Sequence, residues 1–594
     1  MSAVSQMPRW DLTPFFPALD SPEYDAAIAE VRDGIARLEA SLSVAETGAQ
    51  DPIQTFEQLA AQVNALREKT RVIQAYLGAL VTTDSFDDFA QAKDSEFDKL
   101  ATDLSKLAVR FTAWLGKQDV EALITKSKLA ADHPFYLRRS KIVADHLMSP
   151  GEEALAADLN PSAGLAWGKL HGNIGSQLMV TVPLPDGEKS MPMSAVRNLA
   201  YDPDREVRRA AYQAELAAWK AVDVPLAAAM NGIKGQFGVL AKRRKWESPL
   251  DNALFFANID RAALDAMMTA ARESFPDFRR YLKAKAHALG TEHLAWFDLF
   301  APLGSEGGSW PYDKAEVFVE EQFRAFSDKM GDFAARAFRE RWIDAEPRHG
   351  KRDGAYCSGF RKDESRILMN YKPSFGSVMT LAHELGHGYH NLCLAQRTPM
   401  QKETPMTLAE TASIFCEAII KRVYLDQAPA EEQLGILEGM LQGYCQVVVD
   451  ITSRFLFEQA VFEKRTERDL SAGELSQLML DSQRQTYGEG LDPELLHPYM
   501  WAAKPHYYSS GRSFYNFPYM FGLLFGLGLY SRYEQDPEAF KANYDDLLSS
   551  TGMDDAAGLA SRFGFDIRTP DFWRGSLNVI RKDIDRFEQL VRNS

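Results

Sequence analysis

Two histidines and a glutamate occur within five residues of an apolar stretch, where positions 383–387 read HELGH. On a helix, residues four apart share a face with their Cβ atoms about 5–6 Å apart, so His383 and His387 can bind the same metal ion. Glu384 is rotated by roughly 100° from His383, which puts it beside that ion. The pattern predicts a zinc site in which Glu384 takes a proton from metal-activated water, although an ordinary helix with hydrogen-bonded histidines is the alternative.

The third ligand distinguishes classes of zinc peptidase. The metzincin pattern HExxHxxGxxH requires glycine at 390 and histidine at 393, but the chain has His390 and Cys393 there. That pattern fails, and His390, a turn beyond His387, is not expected to bind the metal. The other known arrangement takes a glutamate from the following helix.

Three glutamates follow at suitable distances, namely Glu403, Glu410 and Glu417. The segment Thr407–Leu425 is predicted as one amphipathic helix. Glu403 precedes Pro405 and lies outside this helix, so it is the weakest candidate. Glu410 falls in the first turn and shares a face with Glu417. The spacing favours Glu410 as a ligand and suits Glu417 to accept a hydrogen bond from a metal-binding imidazole.

The elements that must position these residues are mostly helical. Apolar residues repeat at three and four positions from Ser21 to about Leu129, which predicts a bundle of helices. Alternation and a Pro-Asp-Gly turn predict a hairpin near 178–192, and AYCSGF and SRILMNYK, around the turn RKDE, predict another before the histidine helix. We predict a mainly α protein with an N-terminal helical region at 1–195 and a catalytic domain at 196–594.

Composition excludes several classes of partner. The net charge is −16, which disfavours binding to nucleic acid and to anionic membranes. The apolar run Phe517–Tyr530 is too short to span a bilayer and is predicted as a buried helix. The N-terminus lacks the pattern of a secretion signal, and the four cysteines form no CxxC pair. We therefore expect a cytoplasmic protein.

Several segments resemble the oligoendopeptidase F family, within the thimet oligopeptidase-like zinc metallopeptidases. They are RWDLTPFFPALDSPEY, AKRRKWESPLDNALF, the stretch from GAYCSGF to LAHELGHGYH, LAETASIFCE and KPHYYSSGRSFYNFPYMFG, and together they cover nearly the whole chain. The resemblance implies a gluzincin-type core with a small β-sheet, in a two-lobed helical body that encloses a deep channel. It also implies one zinc ion per chain held by His383, His387 and Glu410, with Glu384 as general base.

The same resemblance assigns residues from the C-terminal segment to the substrate carbonyl. His506, Tyr515 and Tyr519 occupy the matching positions, and imidazole and phenol groups can stabilise an oxyanion. The loop YYSSGRSF is longer than in the family and Phe517 replaces a common tyrosine, so Tyr508 is a possible substitute.

The expected function is internal cleavage of short oligopeptides by a monomer or homodimer. The alternatives are a helical zinc carboxypeptidase and a catalytically inactive peptide-binding protein. An intact Glu384 argues against the latter, because binding alone needs no base.

Overall fold

The computed structural model describes residues 7–304 and 308–593, and helices dominate them. The mainly α prediction is confirmed. The helices are α1 (Pro22–Ala45), α2 (Pro52–Thr83), α3 (Asp88–Gly116), α4 (Val120–Lys126), α5 (Lys128–Ala131), α6 (Pro134–Asp145), α7 (Pro150–Leu159), α8 (Gly164–Gln177), α9 (Met193–Asn198), α10 (Arg205–Ala221), α11 (Asp223–Arg243), α12 (Pro249–Phe256), α13 (Arg261–Ala288), α14 (Tyr312–Phe326), α15 (Asp328–Arg339), α16 (Phe375–Cys393), α17 (Met406–Ala409), α18 (Thr411–Gln427), α19 (Ala430–Cys445), α20 (Ile451–Arg465), α21 (Ala472–Tyr487), α22 (Met500–Ala503), α23 (Phe517–Gln535), α24 (Pro537–Ser549), α25 (Ala556–Arg562) and α26 (Pro570–Asn593).

In the described part of the chain, five strands form two small sheets. Strands β1 (Met179–Leu184) and β2 (Gly187–Pro192) make the first predicted hairpin, which turns at Pro185 and Asp186. Strands β3 (Ile343–Asp344), β4 (Tyr356–Gly359) and β5 (Ser365–Leu368) form the second sheet in the order β3-β5-β4. Strands β4 and β5 pair antiparallel, as the second predicted hairpin requires, and β4 is an edge strand.

The chain divides into two compact units, each assembled from three segments. Unit 1 comprises Met1–Leu147, Gly308–Tyr424 and Arg532–Phe563, and unit 2 comprises Met148–Gly307, Leu425–Ser531 and Gly564–Ser594. The predicted domains at 1–195 and 196–594 stay a prediction, and residues 1–6, 305–307 and 594 of those ranges lie outside the described residues.

The N-terminal helices of unit 1 begin where the sequence provides caps. Ser21 accepts a hydrogen bond from the Tyr24 backbone at the start of α1, and Asp51 does the same for Ile53 in α2. Apolar residues of α1, α2 and α3, with the Trp114 and Phe360 rings, form one continuous core. This core places α2 beside the second sheet, where Thr82 Oγ1 lies 2.7 Å from Tyr356 Oη.

In unit 2, the apolar run Phe517–Tyr530 lies in α23 and is almost entirely buried, as predicted for an internal helix. Within residues 7–304 and 308–593, none of the helices combines the length and the apolar character that a membrane crossing requires.

Candidate metal centre

Helix α16 carries both histidines. It begins at a capping serine, because Ser374 Oγ accepts a hydrogen bond from the Ser377 backbone. One face of α16 is buried through Val378, Leu381, Leu385 and Tyr389. His383 and His387 lie on another face and line a cavity of about 400 Å³ within unit 1.

The C-terminal part of α16 is fixed by polar contacts to the segment around α24. Tyr389 Oη donates a hydrogen bond of 2.6 Å to Asp545 Oδ1. His390 Nε2 lies 3.1 Å from the Leu548 carbonyl oxygen and 2.8 Å from Thr551 Oγ1. Burial lowers the pKa of His390 to about 4, so this imidazole is neutral at physiological pH. His390 thus has its own partners outside the histidine pair.

Glu410 lies between two helices, which corrects one prediction. Thr407–Leu425 was expected to form one helix, but α17 ends at Ala409 and α18 begins at Thr411. Glu410 has φ −88° and ψ 5°, outside the helical region, and caps the C-terminus of α17. The Thr411 hydroxyl donates to the Leu408 carbonyl oxygen and helps to stabilise this break. The break therefore puts Glu410 at a junction, and not in a first helical turn.

The three candidate ligand atoms lie close together. His383 Nε2 and His387 Nε2 are 3.2 Å apart, and each lies 3.3 Å from Glu410 Oε2. A tetrahedral zinc ion with bonds of about 2.0–2.1 Å has ligand–ligand separations of about 3.3–3.4 Å. The triangle formed by these atoms therefore fits one face of a zinc coordination tetrahedron. The donor set, two imidazoles and one carboxylate, is also that of a catalytic zinc site.

A glycine between the histidines lets the two segments approach this closely. A Cβ atom on Gly386 would lie 2.7 Å from the Ser413 Cα atom and 2.9 Å from the Ala412 carbonyl oxygen. Both are backbone atoms of α18, so α16 and α18 pack backbone against backbone here. Ser413 also donates a hydrogen bond of 2.6 Å to Glu410 Oε2. The close packing thus sets the distance between Glu410 and the two histidines.

Glu417 fixes the orientation of the first histidine. His383 Nδ1 lies 2.5 Å from Glu417 Oε1, so the Nδ1–H group donates to the carboxylate and Nε2 remains for a metal. Burial opposes the charged imidazole, but the hydrogen bond and charge of Glu417, with Glu410 and Glu384, raise the pKa of His383 to about 9. This pKa describes the site without a cation, which would compete with the proton for Nε2.

The carboxylate of Glu410 is held in its ionised form. Burial disfavours the charge, but His387, His383 and the Ser413 hydroxyl outweigh this effect and lower the pKa of Glu410 to about 2. An ionised carboxylate is the form that binds a metal.

Glu384 is buried beside the ligands and retains one unused oxygen. The residue is 5% exposed, and Glu384 Oε2 has no hydrogen-bond partner in the described part of the chain. Burial raises the pKa of Glu384, against the opposing effect of His383 and His387. A buried, unpaired carboxylate oxygen in a cavity wall is suited to accept a proton from a small ligand such as water.

Glu403 lies apart from these residues. It is exposed and forms an ion pair with Arg67 of α2. The remaining cavity wall includes residues that the sequence interpretation did not single out, namely Arg71, Tyr356, Cys357, Asn391 and Lys402. These residues could not be predicted from sequence spacing, because they come from α2, β4, α16 and a loop.

The predicted carbonyl-binding residues belong to unit 2, where they form their own cluster. The His506 and Tyr515 rings stack with centroids 5.2 Å apart, and Tyr519 Oη donates a hydrogen bond of 3.2 Å to Tyr515 Oη. Burial, with the charges of Arg454 and Lys504, lowers the pKa of His506, which favours its neutral imidazole.

Tyr508, the possible substitute, has a different environment. Its ring is buried and stacks on His171 with centroids 3.8 Å apart. Of the tyrosines named for the carbonyl, Tyr515 and Tyr519 are the more exposed.

Comparisons with known proteins give the family of the chain. A model of peptidase family M3 matches residues 198–579, which is more than half of the chain. The chain is 25% identical to Group B oligopeptidase PepB of Streptococcus agalactiae over 536 residues, which cover 88% of each protein.

Solved structures share the fold. An oligoendopeptidase-F from Enterococcus faecium superposes with a TM-score of 0.70 at 19% identity, over 96% of this chain and all of that one. A Chlamydophila abortus protein described as a peptidase superposes with a TM-score of 0.84 at 20% identity, over 98% of both chains.

These matches confirm the resemblance to oligoendopeptidase F that the sequence motifs indicated. The chain belongs to peptidase family M3 and is a metalloendopeptidase.

Proposed function

We propose that the protein is a zinc-dependent endopeptidase that hydrolyses internal bonds of short oligopeptides. One zinc ion per chain would be held by His383, His387 and Glu410. The observation that carries the proposal is the triangle of ligand atoms, with sides of 3.2–3.3 Å, beside the unpaired oxygen of Glu384. The names of the relatives, which describe oligopeptidases, support the choice of substrate.

When bound, zinc would supply Lewis acidity that activates water and polarises the scissile carbonyl. Glu384 accepts a proton from the attacking water at Oε2 and passes it to the leaving amine. The raised pKa of Glu384 suits both steps, because it brings the base nearer to neutral pH. Glu417 keeps His383 in the tautomer that presents Nε2.

Strand β4 is the proposed docking edge for the peptide backbone. It pairs only with β5 in its sheet, and Tyr356 and Cys357 at its start line the cavity that contains the metal centre. A peptide added as a further strand would bind through main-chain hydrogen bonds and so tolerate many sequences. A complex in which the bound peptide does not run along 355–360 would contradict this part.

The assignment of His506, Tyr515 and Tyr519 to the carbonyl oxygen rests on the family resemblance and stays a prediction. Their chemistry supports it, since a phenol or a neutral imidazole N–H can donate to a developing oxyanion. The cytoplasmic location and the monomeric or homodimeric state likewise remain predictions.

Digestion of a mixed peptide library, with and without a chelator, tests the proposed function. We expect internal cuts, identified by mass, that disappear with the chelator and return when zinc is added back. Release of single C-terminal residues would instead indicate a carboxypeptidase. Cuts that persist after the metal has been removed would contradict the proposal.

A further inference from the structure

The cavity at the metal centre has cationic side chains on its wall. Apart from the carboxylates of Glu384 and Glu410, which belong to the centre itself, its acidic and basic lining consists of the histidines, Arg71 and Lys402. At about 400 Å³ the cavity has the size of a site for a small ligand. In a chain with a net charge of −16, two cations beside the proposed reaction centre need an explanation.

Arg71 has no carboxylate partner among the described residues. Its Nε–H group donates a hydrogen bond of 3.1 Å to the Gly359 carbonyl oxygen at the end of β4. Arg67, one turn earlier on α2, is paired with Glu403, so the two arginines differ in this respect. Burial lowers the pKa of Arg71 without neutralising it at physiological pH. The remaining guanidinium N–H groups are therefore donors without a known anion.

Lys402 is half-buried, and it too lacks an ion pair in the part of the chain that the structure describes. Its neighbour Glu403 is engaged by Arg67. Burial, together with the charges of Arg71 and Lys362, lowers the pKa of Lys402. The carboxylate of Glu68 acts on both Arg71 and Lys402 without forming an ion pair with either.

A second cavity, of about 540 Å³, continues from the first along β4. Arg71, Tyr356, Cys357 and Asn391 line both cavities, so the two adjoin. The second cavity adds Arg352 and no acidic residue. Each cavity therefore has a second cationic side chain in its wall besides Arg71, namely Lys402 in the first and Arg352 in the second.

We propose that Arg71 and Lys402 form a subsite that binds a carboxylate of the peptide substrate. This inference rests on the proposed function and specifies its substrate class: peptides that carry a carboxylate, either C-terminal or on a side chain, near the cleaved bond. Charge-assisted hydrogen bonds from a guanidinium to a carboxylate are short and strong, and they are stronger still in a partly desolvated groove. Neither cation has a carboxylate partner among the described residues, so each can bind such a group.

Four matched peptides with one cleavable bond test the subsite. One pair differs in a C-terminal carboxylate or amide, and the other differs in Glu or Gln near the bond with an amidated end. We expect kcat/KM to be about tenfold higher for the carboxylate member of at least one pair. The pair that responds identifies the source of the carboxylate, and the products, identified by mass, give its distance from the cut.

The variants assign this preference to the two side chains. Arg71→Gln and Lys402→Met should each reduce the ratio of acid to neutral substrate, and Arg71→Glu should bring it below one. Arg71→Lys should retain most of it. Arg138→Gln is the matched control, because Arg138 is exposed in the same unit, forms an ion pair with Glu121 and does not line the cavity.

The ratio separates recognition from a structural role. Loss of the Arg71–Gly359 hydrogen bond can slow cleavage of all four peptides, but it changes acid and neutral substrates equally. A wild-type ratio near one in both pairs, or a ratio that Arg71→Glu and Lys402→Met leave unchanged, overturns the proposal. Binding of the same peptides to the Glu384→Gln protein, measured by fluorescence anisotropy, gives the ratio independently. If no peptide is cut, the proposed function fails, and the anisotropy ratio still decides on the subsite.

Discussion

Replacement of Gly386 by alanine should push apart the two segments that hold the metal ligands. The added Cβ atom would lie 2.7 Å from Ser413 Cα and 3.0 Å from the Ser413 backbone nitrogen, whereas ordinary van der Waals contact begins at 3.4 Å. These neighbours belong to the backbone, so no side chain can rotate away. The segments must separate by about 0.7 Å, the difference between 3.4 Å and 2.7 Å.

This displacement acts on both stability and metal binding. Overpacking of this kind costs about 1–3 kcal/mol in the free energy of unfolding. Ser413 donates to Glu410 Oε2, so a shift of Ser413 also moves the third ligand. Metal–ligand distances tolerate only about ±0.2 Å. Loss of a hydrogen-bond partner of a metal ligand lowers metal affinity by about 10–100-fold, and we expect zinc affinity to fall at least as far here.

Zinc affinity of Gly386→Ala is measured by competition with a chromogenic chelator, and stability is measured by thermal unfolding of the metal-free protein. Gly376→Ala is the matched control on the same helix, since its Cβ would meet only Ser374 Oγ at 3.8 Å. The control should bind zinc as the wild type does. A Gly386→Ala protein with wild-type zinc affinity and an unchanged unfolding temperature would refute the close-packing argument.

Three further predictions concern single side chains. Glu417→Gln weakens the acceptor of the His383 N–H group, and we expect zinc affinity to fall by about 10–100-fold in the same chelator competition. Tyr515→Phe should lower kcat by about 10²-fold with little change in KM, because the hydroxyl that donates to the oxyanion is removed. Tyr508→Phe should leave kcat unchanged. The reverse result would assign the oxyanion to Tyr508. Burial raises the pKa of Glu316 to about 7, above the value of about 4.5 for the unfolded chain. The folded protein therefore holds this proton more tightly than the unfolded chain does, and the stability that this provides is lost as pH rises from about 4.5 to 7. Denaturant unfolding should show Glu316→Gln gaining roughly 1 kcal/mol over the wild type between pH 4 and pH 8, after allowance for partial exposure, and a pH-independent difference would contradict this reasoning.

Local sequence patterns predicted much of the fold. The helical periodicity, the hairpin at 178–192 and the hairpin before α16 all correspond to observed elements, because each depends on residues close together in the chain. The prediction of one continuous helix at 407–425 was wrong in one respect. Its apolar pattern continues through Glu410, and the break depends on a backbone conformation that periodicity does not register.

The site divides in the same way. The spacing of His383, Glu384 and His387 is local and could be found in the sequence. The position of Glu410 after the histidine helix also favoured it as a ligand, and the family resemblance implied the same residue. Two other features could not be predicted from the sequence, namely the close approach of α18 at Gly386 and the lack of a carboxylate partner for Arg71 among the described residues. Each depends on segments that are distant in sequence. Arg71 and Arg67 have the same residue type on one helix, but Arg67 pairs with Glu403 and Arg71 contacts the Gly359 carbonyl oxygen.

The most direct test of the account compares the wild type with Glu384→Gln for both metal content and hydrolysis. Zinc per chain is measured on the purified proteins, and kcat is measured with an internally quenched peptide. The account predicts one zinc per chain in both proteins and a loss of kcat of at least about 10²-fold in the variant, since the base is removed and the three ligands are kept. A Glu384→Gln protein that holds one zinc and cleaves the peptide at the wild-type rate would contradict it.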